Sequence, residues 1–218
     1  MRAALLSLLL ASTALSSCTS SAWGTRIEGA GPYTSSERSV PDFEEISLAG
    51  GMKLDVRVGS GPRVVIHADE NLHEYIKTEV DGDELEIWFE QPISSRNELL
   101  AEVEVPSLQG LDIAGSSVMD VQGLSGESFS IEVAGSGKGT FQGTVNRLEV
   151  DIAGSSNLDL FAVEAKEASI DIAGSGKVRV HAQEVLDVDV AGSGTVLYRG
   201  DPKVSTDTAG SAKVERDS

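Results

Sequence analysis

Ala-Gly-Ser recurs six times in the second half of this chain, beginning at Ala114, Ala134, Ala153, Ala173, Ala191 and Ala209. The intervals are 20, 19, 20, 18 and 18 residues. Self-similarity at a fixed short period is the mark of a repeat architecture, and its length selects among them: helical solenoids need about 33 residues or more per unit. One and three residues before each of the first five alanines stand branched apolar residues, from Leu111 and Ile113 to Val188 and Val190. Phe129, Leu148, Ala168, Leu186 and Val204 lie five before the later copies. Five and seven residues after the alanines come Met119 and Val121, Leu158 and Leu160, Val178 and Val180, Val196 and Tyr198, with Phe141 and Val214 each keeping one of the two places. Period-2 alternation on both sides of a small-residue corner reads as two strands per unit. The predicted fold is therefore all-β, a solenoid of about six Ala-Gly-Ser coils stacked at the inter-strand spacing of about 4.8 Å. Thr206 and Thr208 replace the inward pair of the last copy, a polar end that caps the stack.

The first half reads as a β-rich cap on the solenoid. Strands are predicted at Phe43–Leu48, Met52–Val58, Arg63–His67, Glu84–Phe89 and Leu99–Val105, with a turn at Asp81-Gly82-Asp83. Asp69 is placed to cap one short helical turn running to Tyr75. No linker separates the halves, so residues 40–218 are read as one domain.

Residues 1–17 read as a signal peptide. Arg2 precedes an uncharged Ala3–Leu15 run of 13 residues, short of the roughly 20 that span a bilayer. Leu15-Ser16-Ser17-Cys18 resembles the bacterial lipobox, and Cys18 is the sole cysteine. Cys18 is thus the predicted lipidation site and mature N-terminus, with the membrane reached through its acyl chains. A plain secretory signal cleaved after Ala14 or Ala22 is the rival reading. Thr19 follows the cysteine in place of the Asp that tends to retain lipoproteins at the inner membrane, which favours the outer membrane. Residues 18–39, rich in Ser, Thr, Gly and Ala, read as the lipidated tether.

Lys and Arg number 17 against 35 Asp and Glu, a net charge of −18 over 218 residues. That balance argues against a nucleic-acid partner, which needs clustered cations to neutralise phosphates. Asp112, Glu132, Asp151, Asp171, Asp189 and Asp207 form one column two residues before each alanine. The expectation is a solvated acidic face, with no resident metal or cofactor; the alternative is a divalent-cation or envelope-polysaccharide site on that face. Lys138, Lys177 and Lys213 are placed to balance its field across the corner, and the six serines to hydrogen-bond along the corner stack.

Gly135-Ser-Gly-Lys-Gly-Thr140 fails as a phosphate loop, because Glu132 stands where the first Gly is required and a strand follows rather than a helix. Ala-Gly-Ser-Gly does not match a nucleophile elbow. His67, His73 and His181 are scattered in the pattern, so no catalytic residues are assigned.

Two blocks resemble the putative auto-transporter adhesin, head GIN-domain family. One comprises Phe43-Glu-Glu-Ile-Ser-Leu, Leu54-Asp-Val-Arg-Val, Val64-Val-Ile-His-Ala-Asp-Glu-Asn-Leu and Leu85-Glu-Ile-Trp; the other is the Ala-Gly-Ser array. The resemblance implies a right-handed parallel β-helix outside the cytoplasm, often on a lipoprotein, and supplies no catalytic residues. Together these readings describe a non-enzymatic, lipid-anchored envelope protein acting as an adhesion or scaffold module, with an envelope polysaccharide or protein as partner.

Overall fold

The corner glycines organise the molecule. In the computed structural model, which describes residues 26–217, Gly115, Gly135, Gly154, Gly174, Gly192 and Gly210 all take φ between +124° and +136°. Each sits directly over its predecessor: a Cβ on Gly154 would lie 2.2 Å from the Gly135 carbonyl oxygen, Gly135, Gly174, Gly192 and Gly210 are as tight, and Gly115 is looser at 2.8 Å from Gly50 O. Only glycine permits both the backbone conformation and the contact. The amide of the following serine then donates to a glycine carbonyl of the preceding coil, as Ser155 N does to Gly135 O at 2.8 Å.

The first half contains β1 (Ile27–Glu28), β2 (Tyr33–Arg38), β3 (Glu45–Ala49), β4 (Lys53–Val58), β5 (Arg63–Asp69), β6 (Ile76–Asp81), β7 (Glu84–Phe89), β8 (Ile93–Ser94) and β9 (Leu100–Val105). The repeats are β10 (Gly110–Gly115), β11 (Val118–Gly135), β12 (Lys138–Gly154), β13 (Asn157–Gly174), β14 (Lys177–Gly192), β15 (Thr195–Arg199), β16 (Lys203–Gly210) and β17 (Lys213–Arg216). Strands β11 to β14 each run through two faces of the solenoid, and a paired middle stretch that buries Leu124, Val145, Val163 and Ala182 joins the two. One face stacks in parallel as β7, β3, β10, the second halves of β11 to β14, then β16. The other stacks as β9, β4, the first halves of β11 to β14, β15, then β17. Antiparallel strands close the N-terminal end: β6 on β7 through the Gly82-Asp83 turn, and β5 then β2 beyond β9.

The predicted inward columns are buried as expected. Ile152 pairs with Ile172, which pairs with Val190, and all three are 2–3% exposed. At Gly139 the column lacks a side chain, and the Phe141 ring fills the space, passing 2.4 Å from where a Gly139 Cβ would stand. In the last coil Thr206 and Thr208 are exposed, and Val204 is 37% exposed.

Three expectations need correction. First, the solenoid starts earlier than the Ala-Gly-Ser array. Ala49 pairs with Ala114 and Gly50 (φ +139°) donates its amide to Ala114 O, so Ala49-Gly50-Gly51 is a seventh corner. Second, the stretch read as tether up to Ser39 is folded from residue 27. Strand β2 pairs antiparallel with β5, Tyr33 Oη donates to Glu98 O at 2.9 Å, and Arg38 Nη2 donates to His73 O at 2.9 Å. An edge strand needs backbone donors and acceptors, not apolar alternation, and its polar side chains discourage further pairing. Third, the helical turn shrinks to a 3₁₀ segment at Glu70–Leu72 that the Asp69 side chain does not cap. That carboxylate, 3% exposed, instead accepts hydrogen bonds from Ser95 Oγ at 2.6 Å and from Asn97 Nδ2. Cys18 and the signal segment lie outside the described residues.

Candidate functional site

Strand pleating sends every second side chain outward, so the register sets what each face displays. On the β7–β16 face the outward positions carry eleven carboxylates, while the strand stretches 45–49, 84–89, 110–115, 129–135, 148–154, 168–174, 186–192 and 204–210 contain no Lys or Arg. The acid column is a continuous ladder: Asp112, Glu132, Asp151, Asp171, Asp189 and Asp207 are successive register partners. Beside it the corner alanines form a small-residue floor, and the two columns line a groove of about 530 Å³.

Three carboxyls on this face sit where the ionised state is disfavoured. Burial pushes the Asp151 carboxyl above its ordinary value, with Glu149 adding to the effect. Burial raises Asp171 too, followed by repulsion from Asp151 and Asp189. Glu84 is raised by burial and then by Glu86 and Glu45. Asp69 moves the other way, held low by its hydrogen bonds from Ser95 and Asn97.

A carboxyl whose folded value is raised destabilises the fold while ionised, so stability is gained as pH falls through the raised values towards the ordinary one. Asp69 contributes stability above its ordinary value and loses it as pH falls through its lowered one. The urea midpoint is therefore expected to rise from pH 7 towards about pH 4 and to fall below that. Asp171→Asn should flatten the rise. At neutral pH, NaCl and CaCl₂ at matched ionic strength should raise the midpoint equally if the ladder is a screened face. An additional saturable calcium shift that Asp171→Asn removes would instead show a cation site.

The opposite face is mixed in charge. Lys53, Val118, Lys138, Asn157, Lys177, Thr195 and Lys213 are successive partners just after the corner. The three lysines expected to offset the ladder thus stand across the corner from it. Lys213 Nζ pairs with Glu215 at 2.7 Å. Next to this column Arg179 Nη1 bonds Asp159 Oδ2 at 2.6 Å, and Arg179 and Arg199 lie 4.2 and 4.0 Å from the Phe161 ring centre.

The serines also differ from expectation. Those directly after the corner glycines are exposed, and the bonds that cross the corner come from their backbone amides. Where a second serine follows, it turns inward: Ser117 Oγ donates to Gly50 O at 3.0 Å, and Ser156 Oγ accepts from Gly137 N at 3.0 Å. The histidines take different partners. His67 Nε2 lies 2.9 Å from Glu102 Oε2, His73 Nε2 lies 3.0 Å from Thr34 Oγ1, and His181 sits on β14. Among the described residues, no group of three or more His, Cys, Asp or Glu side chains is placed to hold a metal ion. The Asp69–Ser95–Asn97 cluster is absent from the sequence reading, because nothing in residues 91–98 marks that loop as a partner for Asp69.

The sequence profile described as "Putative auto-transporter adhesin, head GIN domain" matches residues 42–202. Among solved structures the chain resembles a putative adhesin from Bacteroides fragilis at a TM-score of 0.72 and 17% identity, covering 88% of this chain and 100% of that one. A putative adhesin from Parabacteroides distasonis gives 0.54 at 22% identity, with 88% and 100% covered. A structure described as a putative lipid binding protein from the same organism gives 0.53 at 24% identity with the same coverage. At these identities the likeness is one of fold. No curated protein matches the chain.

Proposed function

Because the chain belongs to the family of putative auto-transporter adhesins with a head GIN domain, we propose that it is a non-enzymatic, lipid-anchored envelope protein whose β-helix is a rigid adhesion or scaffold module. The observation that carries this reading is the corner stack: six glycines in register, from Gly115 to Gly210, hold two extended faces, one of which repeats a carboxylate at six successive coils. Such a surface binds by many weak, regularly spaced contacts rather than by one convergent cleft. The lipobox-like Leu15-Ser16-Ser17-Cys18 supports attachment, and Thr19 supports the outer membrane. The alternative, a divalent-cation or envelope-polysaccharide site on the acidic face, draws support from the carboxylate-lined groove.

Cys18→Ser is expected to move the protein from the detergent-soluble membrane fraction to the periplasm. The released chain should still be retained by washed envelope preparations through its folded faces. A Cys18→Ser variant that still enters the detergent phase after a high-salt wash refutes the lipid anchor; a released chain that no envelope retains refutes the adhesion reading.

A further inference from the structure

The corner itself carries a second groove, of about 420 Å³, whose lining contains no carboxylate in a chain with 35 of them. Its walls bring together the exposed hydroxyl-bearing residues Ser136, Ser155, Ser175 and Ser193 with Lys138 and Lys177. Both lysines are exposed, and among the described residues neither has an ion-pair partner, whereas Lys53 and Lys213 in the same column are paired with Asp55 and Glu215. In the adjoining column Asp159 bonds Arg179 at 2.6 Å and Asp120 accepts from the Gln122 side-chain amide at 3.1 Å, so neither forms an ion pair with these lysines. Two exposed cations without an ion-pair partner among the described residues therefore face outward from a strongly acidic body.

Their spacing is set by the backbone. Asn157 separates Lys138 from Lys177 in the register, so the two ammonium groups stand two coils, or about 9.6 Å, apart along the solenoid axis. Between and around them a serine recurs at each coil, about every 4.8 Å. We propose that this corner groove binds a linear acidic polysaccharide lying along the solenoid axis. The coil step is comparable to one sugar unit of an extended glycan, so each serine meets successive sugar hydroxyls. Lys138 and Lys177 meet carboxylates carried on alternate sugars. The carboxylate ladder that lines the other groove repels the same polymer and so excludes it from that face.

This deepens the adhesion reading, on which its biological use rests, and is tested apart from it. Hyaluronan, with one carboxylate per disaccharide, is the probe; neutral dextran and polyphosphate are the comparisons. In affinity electrophoresis of the Cys18→Ser chain, hyaluronan is expected to retard migration and dextran to leave it unchanged. Lys138→Ala/Lys177→Ala should weaken hyaluronan binding at least tenfold, Lys138→Arg/Lys177→Arg should restore it, and Lys166→Ala, outside the groove, should have no effect. No retardation by hyaluronan, equal binding by the double alanine variant, or tighter binding to polyphosphate than to hyaluronan would each overturn the proposal. Envelope retention that persists in the double alanine variant would do so too, leaving the adhesion reading intact.

Discussion

Gly154→Ala is expected to destabilise the protein by on the order of 4 kcal/mol, two contributions adding. Gly154 has φ +135°, a backbone region costing a side-chain-bearing residue about 1–3 kcal/mol. The added Cβ would also lie 2.2 Å from Gly135 O, which is itself the acceptor of Ser155 N at 2.8 Å. The carbonyl cannot retreat without breaking the bond that joins the coils, and forcing such overlap into a packed interior costs about 1–3 kcal/mol. Gly82→Ala is the control. Gly82 has φ +66° in the β6–β7 turn, with nothing within 4 Å of its Cβ position, so it should cost only the backbone penalty of about 1–2 kcal/mol. Urea unfolding of both variants checks this; equal losses would mean that the corner stack does not carry the stability assigned to it.

Ile172→Asp should be as damaging, for a different reason. Ile172 is 2% exposed, stacked between Ile152 and Val190, and its side-chain carbons approach the corner positions Gly176 and Gly194. A carboxylate there has neither water nor a partner, and breaking a packed column with an unpaired charge costs several kcal/mol. The adjacent substitution Asp171→Asn, on the outward side of the same strand, should be slightly stabilising because it relieves the ladder repulsion. Opposite signs at neighbouring positions test the register directly, since a one-residue slip exchanges the two faces. Should Ile172→Asp fail to fold, Ile172→Val still reads the site, with an expected loss of about 0.5–1.5 kcal/mol in thermal or urea unfolding. No loss in either Ile172 variant would refute the inward column.

Much of this architecture is legible along the chain because a solenoid turns sequence offset into spatial position. The same rule locates even the corner that lacks a serine. Counting from Ala49, Ile46 and Leu48 fall three and one before, and Leu54 and Val56 five and seven after, matching the columns of every later coil. Only the replacement of Ser by Gly51 disguises it. Strand β2 is hidden for another reason: Tyr33 to Arg38 bury little apolar surface, so periodicity has nothing to report. The two grooves stand differently. The carboxylate ladder and the lysines across the corner both follow from offset alone, whereas the groove that gathers Lys138 and Lys177 with the exposed serines needs the corner geometry.

The coil is written along the chain: its period, its inward residues, its glycine corner and its polar last turn are all consequences of local conformation and alternation. The order of the N-terminal end is set by packing instead. There β7 and β9, which come later in the chain, stack outside β3 and β4, and β10 returns beneath them. Packing also brings residues 27–38, Ser95 and Asn97 onto that end. Those placements depend on which unpaired edge a strand reaches after a non-repeating connection. Backbone hydrogen bonds accept any such partner without regard to side-chain pattern.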